Sequence, residues 1–134
     1  MWRAPSTASI DDNETNRLVA STLVQSAGCT CVTAVDGVEA VALARGTRFD
    51  AILMDVKMPR MDGVEATRLI RQFPGPEGRV PIIALTANAD TRDADRYRAE
   101  GMNAVVQKPI RARELLGVLN EVLEPVGAAE TLAA

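Results

Sequence analysis

The stretch ILMDVKMPRMDG, residues 52–63, decides the fold of this chain. Together with Ala51, its first residues form a short run that is apolar throughout and that stops at Asp55. An uninterrupted apolar run of this length is typical of a strand that is covered on both faces, as in a parallel sheet. No helix begins directly after Asp55, so helix capping does not explain the residue. A carboxylate at the end of a buried strand therefore needs another reason.

Similar apolar runs recur along the chain, and segments with helical spacing of apolar residues lie between them. The runs cover residues 31–35, 81–85 and 104–107. Asp36 and Asp62 are each followed three residues later by a glutamate, the D-x-x-E form of a capped helix start. The segment 73–81 is a loop rich in Gly and Pro. Strand and helix alternate five times, which predicts an α/β fold with a doubly wound parallel five-stranded sheet.

The first strand fits this pattern poorly. It should end at Ile10, yet the four residues before it are Ser6, Thr7, Ala8 and Ser9. A central parallel strand normally carries branched apolar side chains, and buried hydroxyls cost free energy unless they are hydrogen-bonded. We therefore expect low stability or an unusual N-terminal arrangement, such as strand exchange between chains.

Composition excludes several classes of function. The 134 residues suit one domain, and a net charge of −3 with only 3% aromatic residues argues against direct binding of nucleic acid. No apolar run is long enough to span a bilayer, so direct membrane contact is not expected. Cys29 and Cys31 are too far apart for an easy disulfide and are interpreted as small buried residues in a reducing compartment. The predicted localisation is cytoplasmic.

The sequence contains no histidine. This excludes a catalytic triad, a phosphohistidine carrier and a histidine general base within these residues. A zinc site would also lack ligands, because two cysteines alone do not complete one. Any chemistry must come from carboxylates, hydroxyls and lysine.

Polar residues with these groups follow the predicted strands. Asp11 and Asp12 end the first strand, Asp55 the third, Thr86 the fourth and Lys108 the fifth. Ligands of open α/β sheets bind beyond the carboxyl ends of the strands, so we expect these side chains to converge. Taken singly, each residue has an ordinary explanation: an aspartate as a cap of the first helix, the threonine as a strand-end hydroxyl, and the lysine as a surface cation.

Three neighbouring carboxylates repel one another unless a cation joins them. Mg²⁺ prefers oxygen ligands and often links carboxylates to a phosphate group. Thr86 and Lys108 would supply a hydroxyl and a positive charge for phosphoryl oxygens. Because the sequence has no Walker loop, nucleotide hydrolysis is poorly supported, and Asp55 is the natural nucleophile for an acyl phosphate.

The chain resembles the receiver domain of bacterial two-component response regulators. The resemblance is carried by IDDNETNR (10–17), MDVKMPRMDGVEATRLIR (54–71), PIIALTANA (81–89) and GMNAVVQKPI (101–110). It covers roughly residues 8–124 and implies a flavodoxin-like fold with strand order 2-1-3-4-5. We expect the receiver domain to occupy residues 1–124, and the sequence of residues 125–134 predicts a flexible C-terminal tail. The resemblance also implies that Asp55 accepts a phosphoryl group from a phosphohistidine on a histidine kinase or a histidine phosphotransfer domain.

The resemblance further implies the roles of individual residues. Mg²⁺ would be held by Asp12, Asp55 and the main-chain carbonyl of Lys57, with Asp11 assisting through water. Thr86 matches the switch hydroxyl, and Lys108 matches the phosphate-binding lysine. Three smaller points complete what it implies: Ala87 is the small residue that leaves room for the phosphoryl group, Lys57 and Asn88 tune the lifetime of the acyl phosphate, and the Lys108–Pro109 bond is cis.

One departure from the family pattern concerns the fifth strand, where Val105 stands in place of the usual aromatic residue. We expect phosphorylation to change the surface around the fourth helix without a ring flip. The amino-acid sequences of these motifs are most similar to those in receivers of hybrid histidine kinases. We therefore favour an origin in such a kinase, and a free-standing single-domain regulator is the alternative.

Two other functional classes stay open at the sequence level. A haloacid-dehalogenase-like phosphatase would need an acid two residues after Asp55, where this chain has Lys57. A receiver-like interaction module would bind partners without phosphorylation.

A second copy of the chain is a further candidate partner, since receivers pair through several surfaces. Enzymatic status is also open, because a receiver catalyses its own phosphorylation and dephosphorylation.

Overall fold

The computed structural model describes the backbone of residues 4–87 and 90–133, and their side chains except at 91 and 124–133. Strands and helices alternate along the chain, as the hydrophobic pattern predicts. The elements are β1 Ser6–Ile10, α1 Glu14–Ser26, β2 Thr30–Ala34, α2 Gly37–Gly46, β3 Ala51–Asp55, α3 Gly63–Arg71, β4 Ile82–Thr86, α4 Thr91–Ala99, β5 Ala104–Gln107 and α5 Ala112–Ala133.

The five strands form one parallel sheet in the order β2-β1-β3-β4-β5. The order confirms the flavodoxin-like topology. Its winding reverses beside β1, because β2 lies on one side of β1 and β3 on the other. The carboxyl ends of β1 and β3 therefore flank the crevice in which sheets of this type bind ligands.

Two apolar layers cover the two faces of the sheet. Strand β3 supplies both, since successive side chains of a strand point to opposite faces. Ile52 and Met54 pack with residues of α2, α3 and α4, whereas Ala51 and Leu53 pack with residues of α1 and α5. All five residues of β3 are buried. This double coverage explains why the deciding stretch is apolar without alternation.

The polar first strand lies in the middle of the sheet. Thr7 and Ser9 are fully buried. The Thr7 hydroxyl donates a hydrogen bond of 2.7 Å to the carbonyl of Thr30, whereas the Ser9 hydroxyl has no hydrogen-bond partner among the described residues. Within one chain, β1 pairs with both β2 and β3. Strand exchange between chains and low stability stay predictions.

Local signals predicted the starts of two helices. Asp36 and Asp62 cap α2 and α3, accepting hydrogen bonds from the main chain of Glu39 and Glu65 at 3.0 and 2.8 Å. The predicted loop 73–81 contains a short 3₁₀ helix, Pro76–Arg79. Helix α5 continues to Ala133 and so includes most of the segment predicted as a tail. The flexibility of residues 125–134 stays a prediction.

Candidate functional site

The predicted site residues meet at one edge of the sheet. Asp55 ends β3 beside β4, where its register partner is Leu85. Thr86 ends β4, and its carbonyl accepts a hydrogen bond of 2.7 Å from the main chain of Lys108, directly after β5. Asp11 follows β1. Parallel pairing thus brings the strand ends into one row, which confirms the expected convergence.

Three carboxylates form a cluster at this edge. One oxygen each of Asp11, Asp12 and Asp55 can be chosen so that the three lie within 4.8 Å of one another. Asp11 and Asp55 are buried, with 0% and 3% of their surface exposed, while Asp12 is exposed. Two buried acids and one at the surface therefore share a small volume.

Lys108 lies between the two buried acids. Its Nζ atom donates a hydrogen bond of 2.9 Å to Asp55 Oδ1 and is 3.2 Å from Asp11 Oδ2. The side chain is only 21% exposed, so the alternative explanation of Lys108 as a surface cation is wrong. The main-chain N–H of Lys57 lies 3.3 Å from the same Asp55 oxygen. Asp55 thus receives two donors on one oxygen.

The backbone around Asp11 is also held in place. Asp11 Oδ1 accepts a hydrogen bond of 2.9 Å from the main chain of Asn13, and its carbonyl accepts one of 2.7 Å from Arg17. Asn13 caps α1 by accepting from Asn16. The capping role considered for Asp11 or Asp12 is therefore wrong, and both carboxylates are available to the cluster.

Burial controls the protonation of the central acid. It raises the pKa of Asp55 to about 6, against the opposing effect of the Lys108 hydrogen bond and with a further increase from the charge of Asp11. Burial alone would lower the pKa of Lys108, but the hydrogen bond to Asp55 and the charges of Asp55 and Asp11 raise it overall. At pH 7 most Asp55 side chains are therefore ionised and the lysine is protonated.

The donor set fits a hard divalent cation. Asp11 Oδ2 is buried, and among the described residues its charge partner is Lys108 at 3.2 Å, without hydrogen-bond geometry. Because Asp55 shares the same lysine, one positive charge does not balance three carboxylates. Carboxylate and carbonyl oxygens without sulfur or imidazole are the ligands that Mg²⁺ prefers. The residues present therefore fit Mg²⁺ well.

A cavity of about 450 Å³ opens beside the cluster. Asp12, Asp55, Thr86 and Lys108 line it, and so do Lys57 and Ala87. A cavity next to a nucleophilic carboxylate leaves room for a phosphoryl group and part of its donor. Asn88, predicted to tune the lifetime of the acyl phosphate, lies outside the described residues.

Three residues of α4 also line this cavity, and sequence reasoning missed them. They are Asp93, Arg96 and Tyr97. Tyr97 is only 3% exposed and belongs to the apolar layer against which Val105 packs. The spacing i, i+3, i+4 places the three on one helix face, and this signal could have identified them. The rule that ligands bind beyond strand ends does not identify these residues, because they belong to a helix that faces the cavity.

A model of the response regulator receiver domain matches residues 8–120. The chain belongs to this family. Members of the family interact with histidine kinases or phosphotransfer proteins in phosphorelays. The cis Lys108–Pro109 bond that the resemblance implied is present in this receiver.

Solved structures of receivers are similar over most of the chain. One is the receiver domain of sensor histidine kinase PA1611 from Pseudomonas aeruginosa PAO1, with a magnesium ion coordinated in the active-site cleft. It is 38% identical with a TM-score of 0.82, covering 90% of this chain and 98% of that one. The chemotaxis response regulator CheY4 of Vibrio cholerae is 33% identical with a TM-score of 0.84, covering 90% and 100%.

Curated relatives include much longer proteins. The sensor protein GacS of Pseudomonas syringae pv. syringae is 38% identical over 119 residues, which is 87% of this receiver but 13% of GacS. The receiver thus spans about an eighth of the length of that relative. Within the described ranges, none of the helices combines the length and the apolar character that crossing a bilayer requires.

Proposed function

We propose that this receiver accepts a phosphoryl group on Asp55 from a phosphohistidine and thereby changes its contacts with partner proteins. The observation that carries the proposal is the buried Asp55 carboxylate, which is paired with Lys108, clustered with two further aspartates and exposed to an open cavity. The 134 residues contain no histidine, so the donor histidine lies outside them. A histidine kinase or a histidine phosphotransfer domain is the class of partner that carries one.

In the transfer step, an Asp55 carboxylate oxygen attacks phosphorus. The new O–P bond forms as the N–P bond of the phosphohistidine breaks, and the electron pair returns to the imidazole nitrogen of the partner. With a pKa of about 6, Asp55 is mostly in the nucleophilic form at pH 7. Lys108 and the Thr86 hydroxyl bind the phosphoryl oxygens after transfer, which keeps the charge of the product neutralised.

We infer that Mg²⁺ supports this step. Asp11, Asp12, Asp55 and the main-chain carbonyl of Lys57 would hold the ion, with Asp11 acting through water. When bound, it neutralises the clustered carboxylates and the charge that develops on the phosphoryl oxygens. The fit of the donor set and the magnesium in the similar receiver of PA1611 support this assignment.

We also propose that residues 1–124 form the receiver domain, that 125–134 are a flexible tail, and that the protein is cytoplasmic. The family match over 8–120 supports the domain boundary. The likeness to sensor histidine kinases favours an origin in a hybrid kinase over a free-standing regulator. Limited proteolysis that removes only the residues after 124 would be the expected result.

Acetyl phosphate with Mg²⁺, followed by intact mass measurement, tests the proposed function. We expect a gain of one phosphoryl group that is absent from Asp55→Asn and present in the matched control Asp95→Asn, which changes an exposed residue of α4. A phosphorylated histidine kinase as the donor should give the same two results: no gain of mass in Asp55→Asn and a gain of one phosphoryl group in Asp95→Asn. If neither donor adds mass to the wild-type protein, the receiver is a phosphorylation-independent interaction module.

A further inference from the structure

Arg60 adopts an unusual backbone conformation close to the site. It lies in the loop of residues 56–62 between β3 and α3, and its φ angle is 65°. This left-handed region is unfavourable for a residue with a Cβ atom. A non-glycine residue keeps such a conformation when other interactions determine it. The contacts of the Arg60 side chain hold its backbone in this conformation.

The side chain of Arg60 forms an ion pair with Asp36. Its Nε donates to Asp36 Oδ2 at 2.7 Å, and its Nη2 donates to the same oxygen. Asp36 Oδ1 accepts from the main chain of Glu39 at the start of α2. The carboxylate is 4% exposed and the arginine 60%. Asp36 therefore uses one oxygen to cap α2 and the other to hold the loop.

One main-chain contact strengthens the link between α2 and this loop, and a second joins the loop to the start of α3. The N–H of Gly37 donates to the carbonyl of Met61 at 3.1 Å. A Cβ atom on Gly37 would lie 2.4 Å from that carbonyl oxygen, so the close approach requires glycine. The other end of the loop is closed by a hydrogen bond of 2.9 Å from Gly63 to the carbonyl of Val56.

The loop contains Lys57, whose main chain serves the site. Its N–H lies 3.3 Å from Asp55 Oδ1, and its carbonyl is the one assigned above to Mg²⁺. The loop is therefore held on one side by the sheet edge and on the other by the start of α2. Any shift of the loop moves a donor and a ligand of the site together.

We propose that the Asp36–Arg60 ion pair is a positioning element of the phosphorylation site. It holds the loop 56–62 against α2 and so fixes the main chain of Lys57 beside Asp55. The inference deepens the proposed function and rests on it in one respect, the carbonyl of Lys57 as a ligand of Mg²⁺. Neither residue touches the reacting atoms.

Calorimetric titration with Mg²⁺ tests the proposal. In Arg60→Gln, which removes the guanidinium group and its charge, we expect the dissociation constant to rise about tenfold, the lower end of the effect for groups that orient metal ligands. Arg48→Gln, a change at another exposed arginine, should leave it unaltered. Arg60→Lys should bind more tightly than Arg60→Gln, because a lysine restores the charge and one donor.

A double-mutant cycle separates the ion pair from a general loss of folding. Asp36→Asn keeps a good helix cap but removes the charge. If the pair acts as a unit, Asp36→Asn and Arg60→Gln together should weaken Mg²⁺ binding no more than either change alone. Additive effects, or affinities equal to that of the wild type, would overturn the proposal.

Amide exchange of the metal-free protein gives a readout that does not depend on Mg²⁺. In Arg60→Gln, we expect the amides of Gly37 and Lys57 to exchange faster, with no change in β4. If the wild-type protein binds no Mg²⁺, the metal assignment fails, and this measurement alone decides the positioning role. Unchanged exchange at both amides would overturn it.

Discussion

Asp55 links the chemistry of the site to the stability of the metal-free fold. Burial holds its pKa at about 6, whereas an exposed aspartate in the unfolded chain titrates near 3.9. Between these values the folded protein binds more protons than the unfolded one, so the free energy of unfolding falls as the pH rises. The destabilisation of the folded state by the buried Asp55 carboxylate is therefore almost complete above about pH 6 and nearly absent below about pH 4.

Asp55→Asn should remove this dependence. In EDTA at pH 7, we expect the variant to be more stable than the wild type by about 1–2 kcal/mol, and the difference to vanish near pH 4. Urea unfolding of both proteins across this pH range provides the measurement. Saturating Mg²⁺ should stabilise the wild type at pH 7 and have little effect on the variant. An equal difference at both pH values would contradict the explanation.

The two buried hydroxyls of β1 predict opposite effects on stability. Ser9→Ala removes a hydroxyl that has no partner among the described residues, so we expect a gain of about 1 kcal/mol. Thr7→Val is nearly isosteric and removes the hydrogen bond to the Thr30 carbonyl, so we expect a loss of about 1 kcal/mol. Denaturant midpoints of the two variants, compared at constant m-value, check both signs. A loss at Ser9 would indicate that its hydroxyl is hydrogen-bonded.

At the scale of elements, helix α3 is placed by a close contact with β3. A Cβ atom on Gly63 would lie 2.2 Å from the main-chain oxygen of Asp55. That oxygen belongs to the strand that carries the nucleophile, so any side chain at position 63 would push α3 away from this strand. The glycine of the motif MDG therefore has a packing role beyond its turn.

Gly63→Ala should destabilise the protein by about 2–3 kcal/mol, because the new methyl group forces α3 away from the sheet. Gly117→Ala in α5 is the matched control: a Cβ there meets nothing within 4 Å, and alanine should stabilise the helix by about 0.5–1 kcal/mol. Thermal unfolding of the two variants makes the comparison. Equal effects of the two substitutions would show that the contact at Gly63 is easily relieved.

At the scale of the whole molecule, the polar strand β1 connects the two halves of the sheet. Residues 6–10 pair with β2 and residues 7–10 with β3. Opening this strand would therefore disrupt two strand pairs and both apolar layers. Main-chain pairing with strands on both sides therefore compensates for the polar side chains of β1, which contribute little apolar packing.

We expect the amides of residues 7–10 to exchange only through global unfolding. Their opening free energy should equal that measured by urea unfolding and should not depend on protein concentration. Native-state hydrogen exchange at two concentrations tests this. Faster exchange confined to these residues would indicate fraying, and a dependence on concentration would indicate strand exchange between chains.

The sequence by itself determined the features that depend on neighbours along the chain. The apolar run before Asp55, the D-x-x-E starts at Asp36 and Asp62 and the alternation of elements are local patterns, so they predicted the layers and the starts of α2 and α3. Convergence of Asp11, Asp55, Thr86 and Lys108 also followed from sequence. Once a sheet is parallel, the ends of its strands must lie at one edge.

Only the tertiary structure decided the contacts between residues far apart in sequence. It placed Tyr97 of α4 at the cavity, set the half-buried Lys108 between two acids and joined Asp36 to Arg60, 24 residues away. It also assigned the cap of α1 to Asn13 in place of the preceding aspartates. Such choices depend on which groups packing brings within hydrogen-bond distance, and no periodicity of the chain encodes that distance.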